Sequence, residues 1–383
     1  MPDETRRNRP GEKAEIVLVD LEAGPAATRV IYETAGWEPQ MGANINWGAD
    51  DNTLVFNDVD PRIWRVFGVR LDPQSGESTR FEKGVYHLSP DGKLAACCSL
   101  EKMPRTQYGY GVLIPEERVG LNDAMPREDG VFVVDIESGR VKTFVSIHDL
   151  HTKAGTPSDP DAYRDGWHYG FHAKWSPCGR RLLFTTRWVP RAGDIRWNAL
   201  HEKTKLPWPG LKFNVFTMTP DGGDILNAVP APYWVHGGHH INWYPDGRAL
   251  SMNLGYFTGG KGLEFVRASL DGKVIEAITR AVPGSGHPTI HPDGRHILTD
   301  CYQHEKWCRA DGSTPLRWID LETGTEEEIV RMITKTKPAE SWLRCDAHPA
   351  WTRDWQWVSF NAVPDGTRHV FLADMRDKLV ENR

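Results

Sequence analysis

The chain has no excess of basic residues: 46 Lys and Arg stand against 52 Asp and Glu in 383 residues, a formal charge of −6. No long Lys/Arg run is present either, which excludes a generic binder of nucleic acid or of anionic membranes. No apolar run approaches the roughly 18 residues of a membrane span, and the opening MPDETRRNRPGEKAE lacks the apolar stretch of a secretory leader. The expectation is a soluble, cytoplasmic protein. Cys97, Cys98, Cys178, Cys301, Cys308 and Cys345 form no CxxC pair and no regular framework, so neither a disulfide scaffold nor a zinc ribbon is indicated. They read as mostly buried thiols. The apolar fraction is low, 39%, yet 16 Trp, 13 Phe and 10 Tyr supply material for a core and exclude a disordered chain.

What the sequence does contain is a repeat. An alternating apolar/polar run, then Pro-Asp-Gly or a relative, then a β-rich run recurs as ANINWGADDNTLVFND (43–58), VYHLSPDGKLAACCS (85–99) and FHAKWSPCGRRLLFTT (171–186). It returns as HHINWYPDGRALSMNL (239–254), GHPTIHPDGRHILTD (286–300) and AHPAWTRDWQWVSFNA (347–362). Asp-Gly between alternating runs marks a hairpin, because glycine tolerates the positive φ of a tight turn. Second hairpins such as FVVDIESGRVKTFV and RWIDLETGTEEEIV lie between the copies, and two hairpins per unit make the four-stranded blade of a β-propeller. The turn residues Asp50, Asp91, Cys178, Asp246, Asp293 and Asp354 are 41, 87, 68, 47 and 61 residues apart. The shorter spacings suit a blade of roughly 40–50 residues; the longer ones hold insertions around 100–130, 150–168 and 188–210, read as loops on one rim. The fold expected is therefore all-β, one propeller domain over 1–383. Six repeats are legible, and the expected count is seven blades, the seventh fitting inside the 87-residue gap. The outer hairpin at 16–33 and the lone strand at 369–375 are expected to close the ring through the two termini.

Strand side chains alternate faces. Three residues before each turn anchor stand Trp47, Leu88, Trp175, Trp243, Ile290 and Trp351, a position expected to pack between blades. Six residues before it stand Asn44, Val85, His172, His240, His287 and His348. Histidine fills that register in four consecutive copies although only 15 of 383 residues are His, which argues for one imidazole-rich pocket at the propeller axis. Asn46, His87, Lys174 and Asn242, four before the anchor, extend its polar lining. Converging imidazoles repel one another when protonated, so a metal, an anion or a base's role is needed to account for them. A single such His is more often a structural hydrogen-bonder; the cluster is what points to function. Trp188, Trp197, Trp208 and Trp234, in or near the insertions, are candidates for stacking on sugar rings.

The sequence resembles the oligogalacturonate lyases, seven-bladed propellers related to TolB-like repeats. The likeness covers about 165–376 and rests on GGHHINWYPDG (237–247), GSGHPTIHPDG (284–294) and CDAHPAWTRDWQWVSFNAVPDGTRHVFLADM (345–375), with GFHAKWSPCG (170–179) a looser match. The resemblance implies a metal-dependent lyase that cleaves uronic-acid oligosaccharides by β-elimination. It puts His240 in the role of general base and gives a Mn²⁺ ion, or another divalent cation, His287 and His348 as ligands. Asp346 stands where the family has another His and is still a competent oxygen ligand. His172 and Asn242 line the substrate site on this reading, and Arg187 and Lys174 contact the carboxylate or the leaving group. Two positions depart: the family's Gln ligand falls on Leu343, and an Arg used for substrate falls on Asn214. They leave open a lyase or epimerase acting on a different uronate. The channel register offers no paired carboxylates of the glycoside-hydrolase kind, and the chain has no Gly-x-Ser-x-Gly elbow or phosphate loop. The rival from another class is a non-catalytic TolB- or WD40-like binding propeller.

Overall fold

The turns between the first two strands of each repeat are built alike. In the second to fifth copies the glycine N–H bonds to the carbonyl three residues back, Gly92 to Ser89, Gly179 to Ser176, Gly247 to Tyr244 and Gly294 to His291, at 2.8–2.9 Å. These glycines have φ between 67° and 71°, a region that costs a residue with a Cβ about 1–2 kcal/mol. The sixth copy makes the same bond from Trp355 to Thr352, 2.9 Å, with tryptophan forced to φ 59°.

Those turns join strands in the sheets of a computed structural model in which residues 8–107, 109–191, 210–334 and 344–380 are described. A hairpin of β1 (Ala14–Val19) and β2 (Thr28–Thr34) stands as its own sheet. Six blade sheets follow. The first is β3 (Asn46–Trp47), β4 (Leu54–Asp60), β5 (Arg65–Leu71) and β6 (Ser78–Arg80); the second is β7 (His87–Leu88), β8 (Leu94–Cys97), β9 (Gly130–Asp135) and β10 (Val141–Ser146). The third comprises β11 (Gly166–Trp175), β12 (Leu182–Pro190), β13 (Lys212–Met218) and β14 (Leu226–Val229). The fourth holds β15 (Gly238–Trp243), β16 (Ala249–Leu254), β17 (Glu264–Ser269) and β18 (Ile275–Ala277). The fifth holds β19 (Thr289–Ile290), β20 (His296–Thr299), β21 (Ser313–Asp320) and β22 (Glu326–Ile333). The sixth has three strands, β23 (Ala350–Trp351), β24 (Trp357–Ala362) and β25 (His369–Asp374). Within each blade, neighbouring strands are consecutive in sequence and antiparallel. Among the described residues the fold is an all-β propeller with six blades and few helices.

The chain divides into two units, the first running through Ala231 and the second from Pro232. In the first, Ile16 of the hairpin packs with Leu54, Phe56 and Phe67 of the first blade, and Val55 joins Val85, Leu88 and Val134 of the second. In the second unit, Phe265 packs with Ile290, Ile297 and Ile319, and Leu298, Leu316 and Trp318 pack with Val358 and Phe360. Each such side chain contributes about 1.5–3 kcal/mol when fully buried.

The 100–130 insertion is not a free loop. Its Leu100, Met103, Val112 and Ile114 join the core around Phe171 and Phe184, and its described residues form short 3₁₀ turns at Leu100–Arg105 and Glu116–Arg118 and enter a strand only at Gly130, where β9 starts. The second insertion contains α1 (Ile147–Lys153), capped by Ser146, whose side chain accepts a hydrogen bond from the Asp149 N–H. Most of the third lies outside the described residues. All six cysteines are free, and four of them, Cys97, Cys98, Cys301 and Cys345, are buried. Among the described residues no helix is long and apolar enough to cross a membrane.

Candidate functional site

In the second unit the residues six before each turn do not sit on a regular pleat. The pairing of β15 with β16 slips between His239 and Asn242, a bulge that re-aims the intervening side chains. His240 takes φ 60° and His348 φ 45°; in the fifth blade the left-handed residue is Gly286, φ 55°, immediately before His287. A side chain at Gly286 would run into the Asp300 carbonyl, so close approach and backbone conformation both demand glycine there.

These local geometries bring the rings together. The His240 and His287 ring centroids are 3.7 Å apart, His287 and His348 are 4.2 Å apart, and His239 lies 4.3 Å from His240. The Nε2 atom of His240 is 2.6 Å from the Tyr302 hydroxyl. Asp300 accepts from the His287 backbone N–H at 2.6 Å, and both its carboxylate oxygens lie 3.0 Å from His287 Nδ1. Burial, and then the adjacent His287, push His239 and His348 down to about 3, keeping both neutral at ordinary pH. Burial alone would raise the Asp300 carboxyl; His287, by charge and by hydrogen bond, holds it below its usual value.

His287, Asp346 and His348 each turn a donor atom toward a common point, the atoms lying within 4.8 Å of one another. His287 Nε2 is buried and makes no hydrogen bond, the condition expected of an atom placed for a ligand other than a protein group. Arg344 Nη2 stands 3.0 Å from Asp346 Oδ2 as an ion pair and would share it with any cation. Two imidazoles and a carboxylate suit a first-row divalent ion, so the residues fit the metal the resemblance implies. Leu343, at the implied Gln position, lies outside the described residues. Asn242, on β15, turns its carboxamide oxygen to the Trp243 N–H at 3.0 Å.

Of the other sequence candidates, His172, Lys174, His87, Arg187, Asn214 and Trp188 lie in the first unit. His172 is buried on β11, its ring 4.6 Å from Phe171 and 6.0 Å from Tyr86. Burial draws Lys174 down to about 8; burial and Lys174 draw His87 down to about 4, and His87 Nδ1 accepts from the Trp175 N–H at 3.1 Å. Arg187 lies with its guanidinium carbon 3.3 Å from the centre of the Phe171 ring and donates to Gln107 Oε1 at 2.7 Å. Asn214 is 1% exposed; its amide donates to the Tyr163 hydroxyl at 3.0 Å and its oxygen accepts from Asn227 and from the Ala231 N–H. Trp188 and Trp234 are buried, leaving no ring face for a sugar; Trp197 and Trp208 lie outside the described residues. A separate concavity of about 340 Å³, bordered by Arg65, Arg80, Arg140 and Phe67 in the first unit, contains none of the histidines.

Asp300 and Tyr302 were not singled out by the turn register. A second register would have found the former: seven residues after each anchor stand Asn57, Cys98, Thr185, Asn253, Asp300 and Asn361, and only the fifth blade carries an acid. Tyr302 follows on the same exit segment with no periodic signal.

No family model matches the chain, and no curated protein does. Solved structures similar to it include an oligogalacturonate lyase in complex with manganese, 14% identical over 96% of this chain and 98% of that one, TM-score 0.43. An oligogalacturonate lyase from Vibrio parahaemolyticus is 13% identical over 95% and 98% of the two chains, TM-score 0.42. TolB from Acinetobacter baumannii is 12% identical over 82% of this chain and 58% of that one, TM-score 0.41. At such identities and scores the likeness establishes neither a shared activity nor a shared site.

Proposed function

We propose that the chain is a metal-dependent lyase that cleaves uronic-acid oligosaccharides by β-elimination. The observation that carries this reading is the run of imidazoles in the second unit, His240 against His287 against His348, with left-handed backbone at His240 and His348. Backbone held in that region costs of order 1–3 kcal/mol per residue and is retained where function requires it. His287, His348 and Asp346 would hold the cation, Mn²⁺ being the ion the sequence resemblance implies. Bound there, it supplies positive charge to a uronate carboxylate whose α-proton is being removed.

The chain's own residues account for the proton. His240 takes it from C5 of the uronate and keeps it as imidazolium until solvent removes it, and the hydrogen bond between its Nε2 and Tyr302 Oη orients the ring. The C5–H electron pair becomes the C4=C5 double bond, the C4–O glycosidic bond breaks, and the departing oxygen is protonated from solvent. His172, Lys174, Arg187 and Asn214 belong to the first unit and are given no step. The seven-blade count is also part of this proposal, the β1–β2 hairpin being a sheet beyond the six blades.

A lyase or epimerase on a different uronate is the second reading, favoured by Asn214: its amide is committed to Tyr163, Asn227 and Ala231 where the resemblance implies a substrate Arg. The test is to mix the Mn²⁺-loaded protein with oligogalacturonate and with other uronides and follow the ultraviolet absorbance of the unsaturated product. Growth that a chelator abolishes supports the proposal, and the substrate that gives it separates the two readings. No product and no epimerised sugar from any uronide leaves a binding propeller.

A further inference from the structure

In the first, fourth and sixth blades the position seven residues after the turn is an asparagine whose amide donates to backbone carbonyls. Asn57 donates to the Ala43 carbonyl of its own blade and to the Val85 carbonyl of the next, at 3.2 and 2.8 Å. Asn253 donates to the Ser285 and Gly286 carbonyls at 3.2 and 2.9 Å, and Asn361 to the Ala347 carbonyl at 3.3 Å. The fifth blade replaces this donor with Asp300, 2% exposed, whose ionised carboxylate can only accept. What it accepts is the His287 backbone N–H and, at Nδ1, the His287 ring.

We infer that Asp300 is a positioning residue that fixes the His287 proton on Nδ1 and so turns an Nε2 lone pair toward the cation site. The inference rests on the metal-centre reading of His287, His348 and Asp346. Neutral imidazole carries one proton, and the nitrogen that keeps it cannot ligate. A carboxylate at Nδ1 requires the proton there. Nε2 is then left as an acceptor, which accounts for its being buried without a hydrogen-bond partner. Carboxylate–imidazole pairs of this kind fix ring orientation and raise ligand basicity.

The repeat itself supplies the discriminating variant. Asp300→Asn installs the side chain that the first, fourth and sixth blades already carry, so the fold is kept, and the Asn oxygen can still accept the His287 backbone N–H. Its amide N–H, however, meets Nδ1 as a donor and drives the ring proton to Nε2. The experiment pairs Mn²⁺ titration of wild type and Asp300→Asn with ¹⁵N NMR of the imidazole nitrogens in the metal-free proteins. The expected result is a loss of Mn²⁺ affinity of about 10–100-fold, with His287 protonated at Nδ1 in wild type and at Nε2 in the variant. Wild type that binds Mn²⁺ alongside a variant that binds it equally, or a wild-type His287 protonated at Nε2, overturns the role of Asp300 and leaves the metal centre standing. Wild type that binds no Mn²⁺ overturns the metal centre and the inference together.

Discussion

His240 and His348 are held at positive φ, 60° and 45°, where a β-carbon crowds the following carbonyl. The fourth and sixth blades tolerate this although glycine would be relaxed there, as it is at Gly286 in the fifth. The account therefore predicts that His240→Gly unfolds at higher denaturant concentration than wild type, by about 1 kcal/mol, while losing turnover; a variant less stable than wild type would show that the ring's packing outweighs the backbone strain. His287→Ala and His348→Ala are expected to stay folded and each to lose Mn²⁺ in equilibrium dialysis, whereas His240→Ala keeps it. Full occupancy in both of the first pair would remove the ligand set.

At the scale of the element, the fifth blade ties its first hairpin with an acid. The Asp293 carboxylate lies 2.7 Å from its own blade's His296 Nδ1 and 3.0 Å from His291 Nδ1, and that His291 nitrogen accepts from the Asp293 backbone N–H at 3.4 Å. Burial works to raise the Asp293 carboxyl, but the hydrogen bonds from His296 and the Arg295 and His296 backbone bring it down to about 2. A carboxyl lower in the folded than in the unfolded chain stabilises above its unfolded value near 4 and loses that contribution as pH falls toward 2. Asp293→Asn should flatten the acid limb of the stability profile between about pH 4 and 2, read by denaturant unfolding at each pH; an unchanged limb would mean the pair contributes nothing. The hairpins themselves were legible from sequence, because Pro-Asp-Gly turns and alternating runs encode them locally. Facing was less so. Period-two counting from the anchors predicts buried side chains three positions back, and Trp175 and Trp243 are buried, but Trp47 is 44% exposed. The bulge between His239 and Asn242 interrupts the same count. Asp300 and Tyr302 were hidden for another reason: they lie where the second strand ends, in a stretch whose apolar neighbours read as core.

For the whole molecule, the division after Ala231 places His240, His287, His348, Asp346, Asp300 and Tyr302 in one unit. A ligand that binds only the folded state stabilises it by about 2.7 kcal/mol at a hundredfold excess over its Kd. Mn²⁺ is accordingly expected to slow amide hydrogen exchange around β15, β19 and β23 and to leave β4, β8 and β12 as they were. Protection spread evenly over both units would contradict a centre confined to the second. What the sequence made legible at this scale was six repeats, carried by the spacing of six turns, while the seventh blade expected beside them has no turn of that kind. The division into two units had no counterpart in it, because the same hairpin chemistry runs through both halves and nothing in composition marks Ala231.

Anomalous scattering near the manganese absorption edge, recorded from crystals grown with Mn²⁺, tests the central claim most directly. The account predicts one strong peak within bonding distance of His287 Nε2, His348 and Asp346. No peak there, or a peak held by other side chains, would contradict it.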